Sequence, residues 1–199
     1  MAPPRRHDTD AILDAARTIV LRDGPRAASV AAIAHESKAP VGTLYHRFAS
    51  RDAILAATWL RALERFQIRA LEAAEQDDPL AGAVAMGTAQ ISFARELPED
   101  ARLLLTLRRD DLLDADPDHS FRHSLDAINE PLAAVVSKLT KALCGRSSVR
   151  NREAVIRAVV DLPSAAVRRH LRDGEGLPTW LECDTGEAIR RLLQPGDTP

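Results

Sequence analysis

Apolar residues recur at three- and four-residue steps through almost the whole chain, which is the period of an amphipathic helix and not of a strand. Ile12, Leu13, Ala16, Ile19 and Val20 make a first stripe. Asp8 or Thr9 stands where its N-cap belongs, and Gly24-Pro25 stops it with a C-cap glycine and a breaker. Ser29 caps a short second helix with Val30, Ile33 and Ala34 inward, ending near Ser37-Lys38. Pro40 follows at once, and its fixed φ and missing N–H suit the first position of a third helix. From the cap Ser50, the residues Ile54, Leu55, Trp59, Leu63, Phe66 and Ala70 keep helical spacing up to the acidic break Glu75-Gln76-Asp77-Asp78-Pro79, which predicts a long connecting helix.

The period holds in the rest of the chain. Leu80, Val84, Gly87, Ile91 and Ala94 mark one helix, and Pro98 opens another containing Leu103, Leu104 and Leu107. Phe121, Leu125, Ile128, Leu132, Val135, Leu139 and Leu143 mark a third, kinked at Pro131. Val155, Val159, Leu162, Ala166 and Leu171 give a fourth with Pro163 as a second kink, and Trp180, Leu181, Ala188, Ile189, Leu192 and Leu193 give the last. There is no β-hairpin signal and no repeat of fixed period. The pattern predicts an all-α protein of about nine helices, divided into residues 1–52 and 53–199.

One segment breaks the rule that a short helix buries one side. Ser37 to Phe48, SKAPVGTLYHRF, is too polar and too short for an ordinary core helix. Two short helices joined by a tight turn and held by a longer first helix form a helix-turn-helix, whose second helix fits the major groove of B-DNA, about 12 Å wide. Leu44 and Phe48 then point into a small core, while Val41, Thr43, Tyr45, His46 and Arg47 lie on or beside the outward arc. Thr43 can meet a base edge or a thymine methyl, and Tyr45 and His46 can donate to phosphate. The helix starts near Ser29 and Ser50 offer N–H groups to anions, with Arg51 adding charge beside the second.

Composition narrows the field without deciding it. A chain of 199 residues, 45% hydrophobic and 28% charged, can bury a real core. The start MAPPRRHDTD has two arginines but no apolar stretch behind them, and no window approaches about 18 uninterrupted apolar residues, so the expected location is the cytoplasm. Cys144 and Cys183 stand far apart without ligand spacing, which suits incidental thiols better than a disulfide or a zinc site. The formal charge of −2 is uneven: residues 1–50 carry seven Lys/Arg against five Asp/Glu. Helix-turn-helix geometry also occurs in all-α proteins that never meet DNA, so a surplus this small permits the DNA reading without establishing it.

Residue identities take the reading further. Val30 to Leu55, VAAIAHESKAPVGTLYHRFASRDAIL, resembles the DNA-binding domain of the tetracycline-repressor (TetR) family of bacterial transcription regulators. The resemblance lies in Ile33-Ala34, in Gly42-Thr43-Leu44-Tyr45, in Phe48, and in a basic residue at position 51 followed by Ile54-Leu55; it is strong over residues 9–60 and weak beyond. It implies an all-α homodimer with a three-helix DNA-binding domain and a larger helical domain that dimerises and binds a small effector, without a cofactor. It implies that Thr43, Tyr45 and His46 contact operator DNA, with Val41 beside them, that Ser29 meets phosphate, and that Arg51 replaces the family's usual phosphate-contacting lysine. Two positions depart from the family: Lys38 stands in the turn where glycine is frequent, and Pro40 where serine is frequent. A left-handed Lys38 costs roughly 1 kcal/mol, a cost reduced if its amine reaches a phosphate.

The same resemblance places an effector cavity in the helical domain. Trp59, Phe66, Met86, Phe93, Leu103, Leu107, Phe121 and Leu125 are the apolar candidates to line it, each also a candidate for plain core. For the dimer interface the candidates are Val155, Val159, Leu162, Ala166, Trp180 and Ile189, whose stripes fit the subunit's own core equally well. The effector would act through the helix from about Asp52 to Glu75 by changing the separation of the two DNA-reading heads. Two other classes compete with a regulator. One is a helical small-molecule-binding dimer without operator specificity. The other is a metal-dependent hydrolase using His119 and His123, an i, i+4 pair with Asp118 and Asp126 nearby but without the glutamate of HExxH. A solvated helix start capped by Asp118 accounts for those residues equally well, and no GxSxG elbow is present.

Overall fold

The computed structural model describes residues 9–107, 119–172 and 176–194, with the backbone alone at 119 and 120. Every regular element among them is helical, as the hydrophobic period predicts. In order they are α1 (Thr9–Asp23), a 3-10 turn (Pro25–Ala27), α2 (Val30–Ser37), α3 (Val41–Arg47), α4 (Arg51–Ala73), α5 (Pro79–Glu96), α6 (Pro98–Thr106), α7 (His119–Cys144), α8 (Val149–Ile156), a π turn (Arg157–Asp161), α9 (Leu162–Arg172) and α10 (Leu181–Leu193). Since α8, the π turn and α9 run on without a break, these make nine continuous helices among the described residues. None of them is long and apolar enough to cross a membrane.

The chain forms two compact units, one of Met1–Leu63 with Glu99–Ser124, the other of Glu64–Pro98 with Leu125–Pro199. Both α4 and α7 supply residues to each unit.

In the first unit the apolar stripe of α1, from Ile12 through Val20, is buried together with Ile33 of α2, Leu44 of α3 and Ile54 and Leu55 of α4. Gly24 ends α1 at φ +86°, a conformation that a side chain resists, and its N–H donates to Val20 O at 3.0 Å. Two arginines brace the unit. Arg17 on α1 pairs with Asp100 and, at 2.8 Å, with Glu99 in the first turn of α6, while Arg61 on α4 holds Asp10 at 2.7 Å and Asp14 at 2.6 Å on α1. Asp100 is only 1% exposed, a burial tolerable for a carboxylate because a cation and hydrogen bonds replace its water. Burial works against the charge on Arg17, but the hydrogen bond and charge of Asp100, followed by the charges of Glu99 and Asp14, outweigh it and hold its pKa above the ordinary value.

In the second unit α5 packs against α9, α10 and the π turn. Asp78 caps α5, its carboxylate accepting from Leu80 N and Ala81 N at 3.2 and 3.0 Å, with Pro79 in the first turn. Met86, Val136, Leu139, Val155, Val159 and Ile189 lie in the core beneath it. A Cβ placed on Gly87 would lie 2.5 Å from Ile189 Cδ1 and 3.3 Å from Val159 Cα, so α5 approaches its neighbours at a distance that glycine allows. The π turn follows from Pro163, which has no N–H to donate to Val159 and whose ring crowds that carbonyl. The turn before it widens to five residues, with the Leu162 N–H reaching back to Arg157 O. Pro163 thus replaces the expected kink by a local widening inside one continuous helix. Pro131 is likewise accommodated within α7, on its exposed side.

Candidate nucleic-acid interface

The candidate interface is built on α2, the turn after it, and α3. Ser29 caps α2: its Oγ accepts from Ala32 N at 3.1 Å, which leaves its own proton available to an external acceptor. Ser37 closes the other end, its hydroxyl donating to Ile33 O at 2.7 Å. Lys38 then takes the left-handed conformation, φ 55° and ψ 25°, with its N–H on the carbonyls of Ala34 and His35, and the Ala39 N–H donates to Ala34 O at 3.0 Å. This is the geometry of a glycine-type helix end, made here by a lysine whose ammonium group is left exposed at the turn.

Pro40 stands just before α3 at its N-cap, one position earlier than the sequence pattern places it, without a side-chain cap; its carbonyl accepts from Thr43 N at 2.8 Å. A seven-residue helix cannot hold itself, and packing supplies the anchor: Leu44 is 0% exposed, with Phe48 half-buried after it. The rest of α3 is turned outward. Tyr45 is 58% and Val41 44% exposed, His46 and Arg47 are exposed, and Thr43 is half-buried at the edge of the arc. A Cβ on Gly42 would meet nothing within 4 Å, so that side of the helix has no cover among the described residues. Arg47 is directed back to the start of α1, donating to Thr9 Oγ1 at 2.6 Å.

Arg51 is engaged within its own unit. Its Nε donates to Ala28 O at 3.0 Å, one terminal nitrogen to Pro25 O, and the other to Asp52 Oδ1 at 2.7 Å. The guanidinium thereby braces the start of α4 against the 3-10 turn, and a phosphate contact from Arg51 requires that these bonds be exchanged. The sequence showed the charge at position 51; it could not show that three carbonyl and carboxylate oxygens lie within its reach. The anion-facing groups left at the start of α4 include Ser50, whose Oγ accepts from Ala53 N at 3.1 Å.

The eight apolar candidates for an effector cavity fall into both units. Trp59, Leu103, Leu107 and Phe121 are buried in the first, with the Trp59 and Phe121 rings edge to face at 6.3 Å and the Trp59 indole N–H buried without an acceptor among the described residues. Phe66, Met86, Phe93 and Leu125 lie in the second, where Phe66 and Phe93 are 5.5 Å apart and Arg69 stacks 5.8 Å over the Phe93 ring. Of the six interface candidates, Val155, Val159 and Ile189 are turned into the core of their own subunit and are closed to a partner. Leu162 and Ala166 are half-buried, and Trp180 is 51% exposed, its ring edge to face with the buried His170 at 6.3 Å. Asp118 and the side chain of His119 lie outside the described residues; His123 and Asp126 are exposed on α7, and no group of three or more His, Cys, Asp or Glu able to hold a metal occurs among the described residues. Cys144 and Cys183 are free and exposed.

Residues 12–58 match the family model described as bacterial regulatory proteins, tetR family. No curated protein matches the sequence. Among solved structures, a TetR family transcription regulator from Marinobacter aquaeolei VT8 is similar over 94% of this chain and 95% of its own, with a TM-score of 0.73 and 16% identity. The transcriptional regulator FadR from Bacillus subtilis, solved in complex with stearoyl-CoA, is similar over 95% of this chain and 99% of its own, with a TM-score of 0.71 and 16% identity. The fatty acid degradation regulator FadR from Bacillus halodurans covers 100% of this chain and 98% of its own at a TM-score of 0.69 and 15% identity. At such identities the likeness to these structures is one of fold, and it is the match of the helix-turn-helix segment that speaks for the family. Residues 12–58 therefore carry the helix-turn-helix segment of the bacterial tetR-family regulatory proteins, on a fold that a solved TetR family transcription regulator shares over nearly its whole length.

Proposed function

We propose that the protein represses transcription by binding double-stranded operator DNA as a homodimer, and that a small-molecule effector alters that affinity. The observation that carries the proposal is the uncovered arc of α3, where Val41, Tyr45 and His46 are exposed around a single buried anchor, Leu44. A helix that existed only to complete a core would not leave its tyrosine in water beside a hydrophobic neighbour. In the proposed complex Thr43 and Val41 meet base edges, Tyr45 and His46 meet phosphates, and Ser29 and Lys38 hold the backbone on either side of α2. Two copies related by a two-fold axis would read half-sites about one helical turn (34–36 Å) apart.

The division of labour we propose assigns residues 1–52 to DNA and residues 53–199 to the effector and the dimer. Exposed apolar groups beyond α7, namely Val149, Trp180 and Leu192 with half-buried Leu162 and Ala166, support a subunit interface there. The stearoyl-CoA held by the Bacillus subtilis relative supports an effector with a large apolar part.

Competition binding tests the reading. The full-length protein is first used to select fragments from its own genome, and the selected fragment is then challenged with scrambled duplex at several salt concentrations. Retention of the selected fragment against excess scrambled DNA is the expected result, because base readout survives competition whereas phosphate attraction alone falls steeply with salt. Equal displacement by every duplex favours the alternative of a helical ligand-binding dimer without operator specificity. Metal analysis of the purified protein, with hydrolysis assayed in His123→Ala, tests the hydrolase alternative.

A further inference from the structure

Gln67 is a polar side chain in an apolar seam. It lies on α4 in the second unit, 3% exposed, with Phe66 and Ala70 as its neighbours along the helix. Only one end of its amide is used. Nε2 donates to Asn129 Oδ1 of α7 at 2.8 Å, while Oε1, equally shut off from water, accepts from nothing among the described residues. Around Asn129, the residues one turn away on α7 are Leu125 and Leu132, the first buried and the second packed against the hydrophobic core. Buried amide oxygens are almost always paired, and a carbonyl left open in such surroundings would be replaced at no loss of packing by leucine or methionine unless something else bonded to it.

We infer that the effector is held at Gln67 by an uncharged hydrogen-bond donor, a hydroxyl or amide N–H carried on a largely apolar molecule. The inference rests on the effector-binding reading above and adds the chemistry of the ligand. The donor is uncharged because the Gln67–Asn129 pair is neutral, and a charged group brought to it would lose its water without a counter-charge. Arg69, two residues further along α4, is already engaged with Glu96 at 2.8 Å and with the Phe93 ring. With Nε2 engaged by Asn129, the open position of the Gln67 amide is its oxygen, an acceptor that selects for donors.

The experiment uses two isomeric probes of equal length, 1-octanol, which donates, and heptyl methyl ether, which only accepts. Each is titrated calorimetrically into the full-length protein and into Gln67→Leu, with Gln67→Met as the second variant if the first does not fold. The wild-type protein is expected to prefer the alcohol over the ether by about tenfold more than either variant does, the size of one hydrogen bond in a dry site. An alcohol-to-ether ratio unchanged by the substitution, a preference for the ether, or no binding of either probe overturns the inference. A lower melting temperature in both variants together with an unchanged ratio assigns Gln67 to the fold alone and overturns it as well. The titration contains no DNA, so a failure of the operator reading leaves its outcome standing, and its own failure leaves the competition experiment untouched.

Discussion

Helix α3 and the inward stripe of the C-terminal helices treat their large side chains in opposite ways. On α3 one residue, Leu44, does the anchoring, and the next, Tyr45, is left in water. From α8 to α10 the large residues Val155, Val159 and Ile189 are drawn inward against α5, which comes close enough to require a glycine at position 87. The difference teaches where stability and function can be separated. On α3 they belong to neighbouring residues, so one can be changed without the other. In the second unit the same side chains fill the core and close the gaps between helices, and substitution there acts on folding first.

The largest effect is expected at the brace beneath the first region. Arg17→Met removes a cation from beside the buried Asp100 carboxylate. A loss of about 3–5 kcal/mol follows if the carboxylate is left uncompensated, read by urea unfolding at neutral pH. A loss below about 1 kcal/mol, the size of an exposed pair, would mean that water reaches Asp100 and that the brace is a surface feature.

Adjacent substitutions on α3 sharpen the comparison. Leu44→Ala is expected to cost about 2–5 kcal/mol, because a fully buried leucine is removed from a small core that has little to refill the space. Tyr45→Ala is expected to change stability by less than about 0.5 kcal/mol, as an exposed surface substitution does, while weakening binding to operator and scrambled DNA alike. Thr43→Ala should instead shift sequence preference, by about 1–3 kcal/mol at one base position. Melting curves and anisotropy titrations on the same preparations separate the three. A Tyr45→Ala protein that melts like Leu44→Ala would show that the two residues share one role after all.

Gly87→Ala carries the comparison into the second unit. A methyl group there must displace Ile189 Cδ1, which is itself fully buried, and press on the backbone at Val159. Overpacking of this kind costs about 1–3 kcal/mol, measured by thermal or urea unfolding. An unchanged midpoint would show that α5 and α10 can move apart freely, and with it that the close approach has no part in the stability of this unit.

These contrasts also mark what the sequence made legible. The period of apolar residues was enough for the helices, since most of the stripe positions the spacing assigns are buried or half-buried, with Trp180 and Leu192 as exposed exceptions, and the helix-turn-helix was visible because its polar residues stand where a core helix would carry apolar ones. Periodicity says which positions share a face, but it does not name what covers that face. Val155, Val159 and Ile189 lie on a true stripe, and whether the stripe meets a second subunit or α5 depends on a contact between segments about seventy to one hundred residues apart. Arg51 illustrates the same limit for charge, since its carbonyl partners at Pro25 and Ala28 carry no side-chain signature. Gln67 was hidden for another reason. A single polar residue within a helical stripe reads as solvent-facing, and only burial without a full set of partners makes it conspicuous.

The smallest effect concerns Lys38, where stability and function are combined in one residue of the first region. Its left-handed backbone suits glycine, so Lys38→Gly removes a strain of about 1 kcal/mol and should raise the unfolding midpoint accordingly, less a few tenths for the greater freedom of glycine in the unfolded chain. The lysine is exposed and forms no ion pair among the described residues. If its ammonium group meets a phosphate, the glycine variant also loses one released counterion, and the slope of log affinity against log salt falls by about 1. A more stable protein with a shallower salt dependence on every duplex is therefore the expected pair of outcomes. Increased stability with an unaltered slope would remove Lys38 from the interface and leave its conformation without a compensating contact, whereas an unaltered stability would mean that the turn imposes no strain on lysine and that glycine has no advantage there.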